Sequence, residues 1–213
     1  MSGILGLTGT QIGKRRVFFS FHYQNDIWRV NQVRNSWRYQ HEGEREAKGF
    51  FDASMWENSR RTGADSLKAL IREGIKNTSV TCILSGAETC QRRWVRYEIA
   101  RSIVKCNGLL VVAIHNLKNQ AGYTSRAGGN PLDYMGVYKV PGDRILLAEW
   151  KDGKWVRYMD YTEAVTLPAA WRKPTSASVV QLSTFAQSYC YVADDGFRNF
   201  GSWVRHAAAL SGN

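Results

Sequence analysis

A tryptophan and a carboxylate stand four residues apart in the segment Arg92-Arg93-Trp94-Val95-Arg96-Tyr97-Glu98-Ile99. On a helix that spacing projects both side chains from the same side, one turn apart. A carboxylate beside a tryptophan face is a recognisable site arrangement. The carboxylate can hold ribose hydroxyls and stabilise the oxocarbenium-like charge that develops as the anomeric carbon loses its leaving group. Where the leaving group is already cationic, no strong general acid is needed and one Glu suffices. Spacing alone equally allows Glu98 to pair with Arg93 or Arg101 on a solvated helix face, which is the commoner use of such a residue. Trp94, like Trp37, also has core packing as a competing role.

Such a carboxylate works only if the fold brings a ligand to it. Arg15–Phe21 (Arg-Arg-Val-Phe-Phe-Ser-Phe) is a β-branched and aromatic run, the pattern of a buried central strand. With Asn25 as N-cap, Ile27, Val30, Val33, Arg34 and Trp37 follow at helical spacing. Residues 39–48 are polar and loop-like. Gly49-Phe50-Phe51-Asp52 is expected as a short second strand, and residues 53–63 as a loop of the kind that often carries function. Leu67, Leu70, Ile71 and Ile75 mark a second helix, and Ser79–Leu84 a third strand. A third helix is expected between Arg92 and Cys106, followed by a fourth strand over Gly108–Ile114. Residues 116–141, rich in Gly, Asn and Tyr, are expected to form a long loop. Asp152-Gly153 between Ile145–Trp150 and Trp155–Tyr158 is a hairpin signal, and Phe200, Trp203, Val204 and Ala207 lie on one face of a last helix over Phe197–Leu210.

Strand–helix alternation at this spacing means βαβ units and a parallel sheet. The expected fold is α/β: a flavodoxin-like core whose mainly parallel central sheet of four or five strands is flanked by helices, elaborated by a C-terminal β-hairpin and helix. Residues 1–13 form a lead-in. Residues 14–213 form a single domain whose elaboration begins at about 141. Ligands of such sheets bind beyond the carboxyl ends of the strands. That places Ser20, Phe21, His22 and Tyr23, the stretch Asp52, Ser54 and Trp56, and the loop after Ser85 on one edge, with His115 able to reach it. Tyr23, Trp56 and Trp94 are candidates for stacking on a base.

Composition narrows the classes. The chain has 213 residues, 44% hydrophobic, 12% aromatic and 22% charged, as a globular domain requires. An excess of 29 Lys+Arg over 18 Asp+Glu, formally +11, favours anionic partners. The arginines are scattered rather than gathered in a tract, and no zinc finger or RNP-like motif accompanies them, so nucleic acid is not the expected partner. The four cysteines, Cys82, Cys90, Cys106 and Cys190, form no CxxC pair, as expected of reduced thiols in a cytoplasmic protein. No apolar run approaches the ~18 residues of a membrane span, and residues 1–13 lack the basic and apolar regions of a signal peptide. Without a Walker A loop, GxGxxG, HExxH or metal-ligand cluster, a kinase, a Rossmann oxidoreductase and a metalloenzyme are not expected.

The run Cys82-Ile83-Leu84-Ser85 through Trp94-Val95-Arg96-Tyr97-Glu98 resembles the TIR-domain pattern: a strand ending in Leu-Ser, a loop, then a Trp-x-x-x-Glu helix. Val17–Phe21 is similar to the first strand of that family. The closer resemblance is to the TIR-like proteins of bacterial Thoeris anti-phage defence systems. It rests on Arg16–Tyr23, Phe51–Ser54 with Trp56-Glu57, Asn77–Cys82, Arg92–Ile99, Lys151–Trp155 and Asp194–Ala207, in that order, from about residue 14 to the end. The resemblance implies an enzyme that cleaves NAD+ at the nicotinamide–ribosyl bond and makes a cyclic ADP-ribose-type signal, which activates a separate NAD-depleting effector protein. It implies NAD+ as substrate with no cofactor and no metal, Glu98 as the catalytic carboxylate, and Ser20, Phe21, His22, Asp52, Ser54, Trp56 and Trp94 as the lining of the dinucleotide site. A homo-oligomer and activity only on triggering are compatible with it. Two other readings stay open: a non-catalytic TIR-like interaction module, and a nucleoside-processing enzyme of related topology such as a deoxyribosyltransferase. The chain departs from receptor TIR domains in lacking a proline in the second-strand loop, and from many TIR enzymes in carrying His22-Tyr23-Gln24.

Overall fold

A computed structural model describes residues 15–39, 45–48 and 62–213 of the chain. Its first strand, β1 (Arg15–Phe21), runs into α1 (Tyr23–Tyr39). Then come β2 (Arg45–Lys48), α2 (Ala64–Ile75), β3 (Val80–Ser85), α3 (Arg93–Val104) and β4 (Gly108–Ala113). The remainder holds β5 (Met135–Val140), β6 (Arg144–Lys151), β7 (Lys154–Arg157), β8 (Val180–Gln181), β9 (Gln187–Cys190) and α4 (Gly196–Leu210).

Five strands form one sheet in the order β2-β1-β3-β4-β9, every neighbouring pair parallel. Helices cover both faces, so β3 is buried at all six positions, and β4 at all but its last. That double burial is why these strands read as unbroken apolar runs. Alternation still sorts the residues by face. Val17, Phe19, Cys82, Leu84, Leu110 and Val112 pack with Val30, Val33 and Trp37 of α1 and Phe200, Trp203 and Val204 of α4. Ile83, Leu109 and Val111 turn the other way, toward Val95, Ile99 and Ile103 of α3 and toward the second sheet. Phe18 joins Leu67, Ile71 and Ile75 of α2 and Tyr97 of α3. Each fully buried Leu, Ile or Phe contributes about 1.5–3 kcal/mol from leaving water, so these two faces supply most of the cohesion.

The second sheet is antiparallel, in the order β7-β6-β5-β8. Leu132, Met135, Val137, Leu147 and Tyr158 seat it against α3. The hairpin between β6 and β7 turns at Asp152 and Gly153, both with positive φ (51° and 75°), the primed turn that Asp-Gly favours.

Several elements differ from expectation. α1 starts at Tyr23, with the Asp26 amide donating to the His22 carbonyl (3.1 Å), and Asn25 is no cap: its amide donates to Glu88 (3.1 Å). Residues 45–48 form β2 instead of loop. β2 stands at the end of the described sheet, and its strand conformation comes with its parallel pairing to β1. The segment expected as one loop over residues 116–141 contains a 3-10 turn (Pro131–Tyr134) and β5, which gains its partners only from β6 and β8. The lead-in at residues 1–13 and the strand expected over 49–52 lie outside the described residues. Among those described, no helix is long and apolar enough to cross a membrane.

Candidate active site

Ser20 is the penultimate residue of β1, and alternation turns its side chain away from Phe19 and Phe21. It is fully buried, and its Oγ donates to Glu98 Oε2 at 2.5 Å. Glu98 lies in the middle of α3 and is 5% exposed. A carboxylate stripped of water is costly to ionise. Burial accordingly raises the Glu98 pKa from 4.5 to about 8, while the hydrogen bond from Ser20 pulls it down. Near neutral pH the group is mostly protonated, poised to give up its proton when positive charge arrives beside it.

The helix is held in register from behind. Ser102 Oγ donates to the Glu98 carbonyl (2.7 Å) and lies 2.7 Å from Thr81 Oγ1 on β3. Asn107 Nδ2 donates to Thr78 and Thr81 (2.8 and 3.3 Å). Neither arginine that spacing offered as a partner for Glu98 is one. Arg93 makes a two-pronged contact with Asp160 (2.8 and 2.7 Å), and Arg101 lies over the Tyr161 ring at 5.6 Å.

Beside this pair, the ends of β1 and β3 gather a second polar group. His22 is buried, its Nδ1 4.0 Å from Glu88 Oε2 and without a hydrogen-bond partner among the described residues. Burial, then Arg92, lowers its pKa, and Glu88 opposes them. Glu88 is bonded by Arg92. Asp26, on the first turn of α1, is buried and pairs with Arg29 (3.4 Å); its pKa is raised by burial, which outweighs the cation. Its carboxylate presses on Gly86, where a Cβ would come within 2.1 Å of Oδ2. The Gly86 amide donates to Thr89 Oγ1 (2.9 Å). Arg29 reaches on to the carbonyls of Leu117 (2.8 Å) and Tyr123 (3.1 Å), tying α1 to the segment after β4. Ser85 Oγ donates to the Gly129 carbonyl (3.2 Å), so residues 125–129 cross over the end of β3. His115 sits under that crossing, its carbonyl accepting from the Ser125 amide (2.9 Å).

The structure therefore joins Ser20 to Glu98 directly, with Phe21 and His22 following in the chain at the same strand end. Phe21 is partly buried, its ring 6.2 Å from that of Tyr23. Trp94 stands edge-on to Tyr97 at 6.2 Å, beneath the Arg93 guanidinium (5.0 Å), and packs with the α2 cluster. Asp52, Ser54 and Trp56 lie outside the described residues. Sequence reasoning did not single out Asp26, Arg29 or Glu88. The i, i+3 spacing of Asp26 and Arg29 was the available signal, but nothing local distinguishes a buried pair from a solvated one. Among the described residues, no group of three or more His, Cys, Asp or Glu is placed to hold a metal ion.

Chemically, the pair offers an oxygen acid whose ionisation is governed by what enters beside it. That suits stabilisation of a developing cation better than permanent general-base work.

Residues 18–119 match the family model described as Thoeris protein ThsB, TIR-like domain. Over 195 residues, 89% of this chain and 98% of the relative, the sequence is 44% identical to a Bacillus cereus (strain MSX-D12) protein described as "Putative cyclic ADP-D-ribose synthase ThsB1".

Proposed function

The chain belongs to the ThsB family of Thoeris TIR-like proteins, and from that premise we propose that it is an enzyme that cleaves NAD+ and cyclises the ADP-ribosyl product into a signal for anti-phage defence. The observation that carries the reading is the buried Ser20–Glu98 pair at the carboxyl end of β1. It supplies the kind of carboxylate this reaction needs, in a chain 44% identical to a relative bearing the synthase name.

In this mechanism the bond between the anomeric carbon and the nicotinamide nitrogen breaks, and its electron pair leaves with nicotinamide, neutralising the pyridinium ring. The positive charge passes to the ribosyl oxocarbenium. Glu98, ionised by the cationic substrate, faces that charge, and the Ser20 hydroxyl holds one carboxylate oxygen in place. A nucleophilic group of the same ADP-ribosyl unit then closes the ring. Phe21 and His22 line the dinucleotide site, with Trp94 at its α2 side; Asp52, Ser54 and Trp56, which the family resemblance assigns to the same lining, lie outside the described residues. NAD+ is the substrate and no further cofactor takes part. The cyclic product activates a separate NAD-depleting effector; a homo-oligomer and activity only on triggering fit the same reading. The protein works in the cytoplasm.

Mass spectrometry of small molecules tests this, on purified protein and on infected cells. Wild type is expected to release nicotinamide and a cyclic ADP-ribose-type product. Glu98→Gln is expected to lose about a thousandfold in rate, within the range for removing one group that acts in the transition state. Full activity of the Gln variant overturns the assignment. Normal defence signalling by that variant supports a non-catalytic interaction module instead, and preferential turnover of free nucleosides supports a deoxyribosyltransferase-like enzyme.

A further inference from the structure

Helices α2 and α3 lie side by side and run in the same direction, and their two ends are treated differently. At the N-terminal end, Asp160, which follows β7, neutralises both neighbours: it pairs with Lys68 of α2 (3.1 Å) and with Arg93 of α3 (2.7 Å). These contacts, the hydrogen bond from Arg93 above all, hold its pKa down at about 2. Toward the C-terminal end the helices part into a groove of about 380 Å³, lined by Arg72, Lys76, Arg101 and Lys105 together with Glu73 and Ile75. Four cations converge there against one carboxylate, and Glu73 is largely exposed and spends its charge on Lys76 (3.6 Å). For Arg72, Arg101 and Lys105 no carboxylate lies within ion-pair distance among the described residues.

Two of the cations are held rather than waving. Arg72 Nη1 donates to the Tyr97 hydroxyl (3.5 Å), and Arg101 lies over the Tyr161 ring with its Nε buried and unpartnered among the described residues. The partial negative charge at helix C-termini accounts for one cation near each end, at a few tenths to about 1 kcal/mol apiece. It does not account for four facing one concavity, where their mutual repulsion opposes folding. The volume is at the small end of ligand pockets, and the apolar residues of its lining, Ala69 and Ile75, offer no ring for a base to stack on.

We propose that this groove is an anion site for an oligophosphate group, either free or as the tail of a nucleotide, distinct from the Ser20–Glu98 site and independent of what that site does. Guanidiniums grip phosphate oxygens in pairs while the two lysines supply point charge, a division of labour that fits two or three linked phosphates. Nucleic acid is disfavoured because the charge is focused in a concavity rather than spread along a stripe.

Isothermal titration calorimetry on the full chain tests the proposal, with pyrophosphate, tripolyphosphate, ADP and sulfate as separate probes at about 0.1 M salt, where surface attraction beyond about 10 Å is screened. Wild type is expected to bind the linked phosphates saturably, at one equivalent, and sulfate much more weakly. Lys76→Gln/Lys105→Gln, made at two exposed helix-end positions, is expected to weaken binding at least about tenfold. Lys118→Gln/Lys151→Gln, with the same loss of charge elsewhere, is expected to leave it unchanged. Tripolyphosphate binding as tightly as ADP identifies a bare phosphate chain as the ligand, and tighter ADP binding a nucleotide tail. Absence of saturable binding, equal losses in the two double variants, or binding that survives in the groove variant each overturns the proposal. Arg101→Gln, checked by circular dichroism for an intact fold, repeats the test from the other helix.

Discussion

The parallel and the antiparallel sheet share one apolar interface through α3, yet they treat polar groups in opposite ways. The buried polar residues are Ser20, His22, Asp26, Arg29, Thr78, Thr81, Ser85, Thr89, Glu98, Ser102, Asn107 and Ser211, and none of them belongs to the antiparallel sheet or its connections among the described residues. There the core side is Leu132, Val137 and Leu147, and the charged residues stay at its rim, where Glu149 receives Arg96 of α3 (2.7 Å) and Asp160 receives Arg93. Burying a polar group costs free energy unless it is bonded, and burying a carboxyl costs most. The parallel sheet carries that cost at its carboxyl edge, where a ligand is expected. The antiparallel sheet and its connections bury no carboxyl: what they leave without a hydrogen-bond partner among the described residues are the Tyr158 hydroxyl and the Trp171 indole nitrogen, and they act as a buttress that fixes the azimuth of α3.

If that contrast is right, its largest sign is in the pH dependence of stability. The folded pKa of Glu98, about 8, lies above its ordinary value of 4.5. The native state therefore holds its proton more tightly, and stability from this residue is full below pH 4.5 and lost as pH rises toward 8. Glu98→Gln removes that loss. In urea unfolding the variant should gain on wild type progressively from pH 5 to 9, by up to about 5 kcal/mol at the alkaline end. A flat difference for Glu98→Gln would place its carboxyl in water.

Next in size is Leu147→Ala, in the core of the antiparallel sheet. It should cost about 2–5 kcal/mol of stability while nicotinamide release per folded molecule stays the same; loss of turnover in a folded variant would mean that this sheet does more than support. Arg96→Ala should cost about 2 kcal/mol, as for a hydrogen bond between charged groups. The double variant with Glu149→Ala should then cost little more than either alone, which a double-mutant cycle measures.

The smallest effect separates geometry from bulk. Ser20→Ala takes away the hydrogen bond that lowers the Glu98 pKa, so the limb of the pH–rate profile that rises with Glu98 ionisation should move to higher pH. The rate at neutral pH should therefore fall, with recovery in alkali. A uniform loss at every pH would reduce Ser20 to a packing residue.

Much of this architecture was legible in the chain. β1 falls on the residues that its aromatic and β-branched run marked, and α3, β3, β4 and α4 lie within a residue or two of their periodic patterns. The Asp-Gly turn formed where it was expected. β2, β5, β8 and β9 were not legible, because each is short and is made a strand by partners distant in sequence. The same division runs through the site. Ser20 and Glu98 were both candidates, on a strand end and a helix face. Their 2.5 Å contact spans 78 positions of chain.

By itself, then, the sequence determined the strand–helix alternation, the edge at which chemistry could occur and the residue types present there, because periodicity and turn chemistry act over a few neighbours. Only the tertiary structure decided whether Glu98 would be a solvated ion-pair partner or a buried acid. That choice depends on how much water the packed sheet, α2 and the buttressing second sheet leave around one carboxyl, and desolvation is a property of all the surroundings at once.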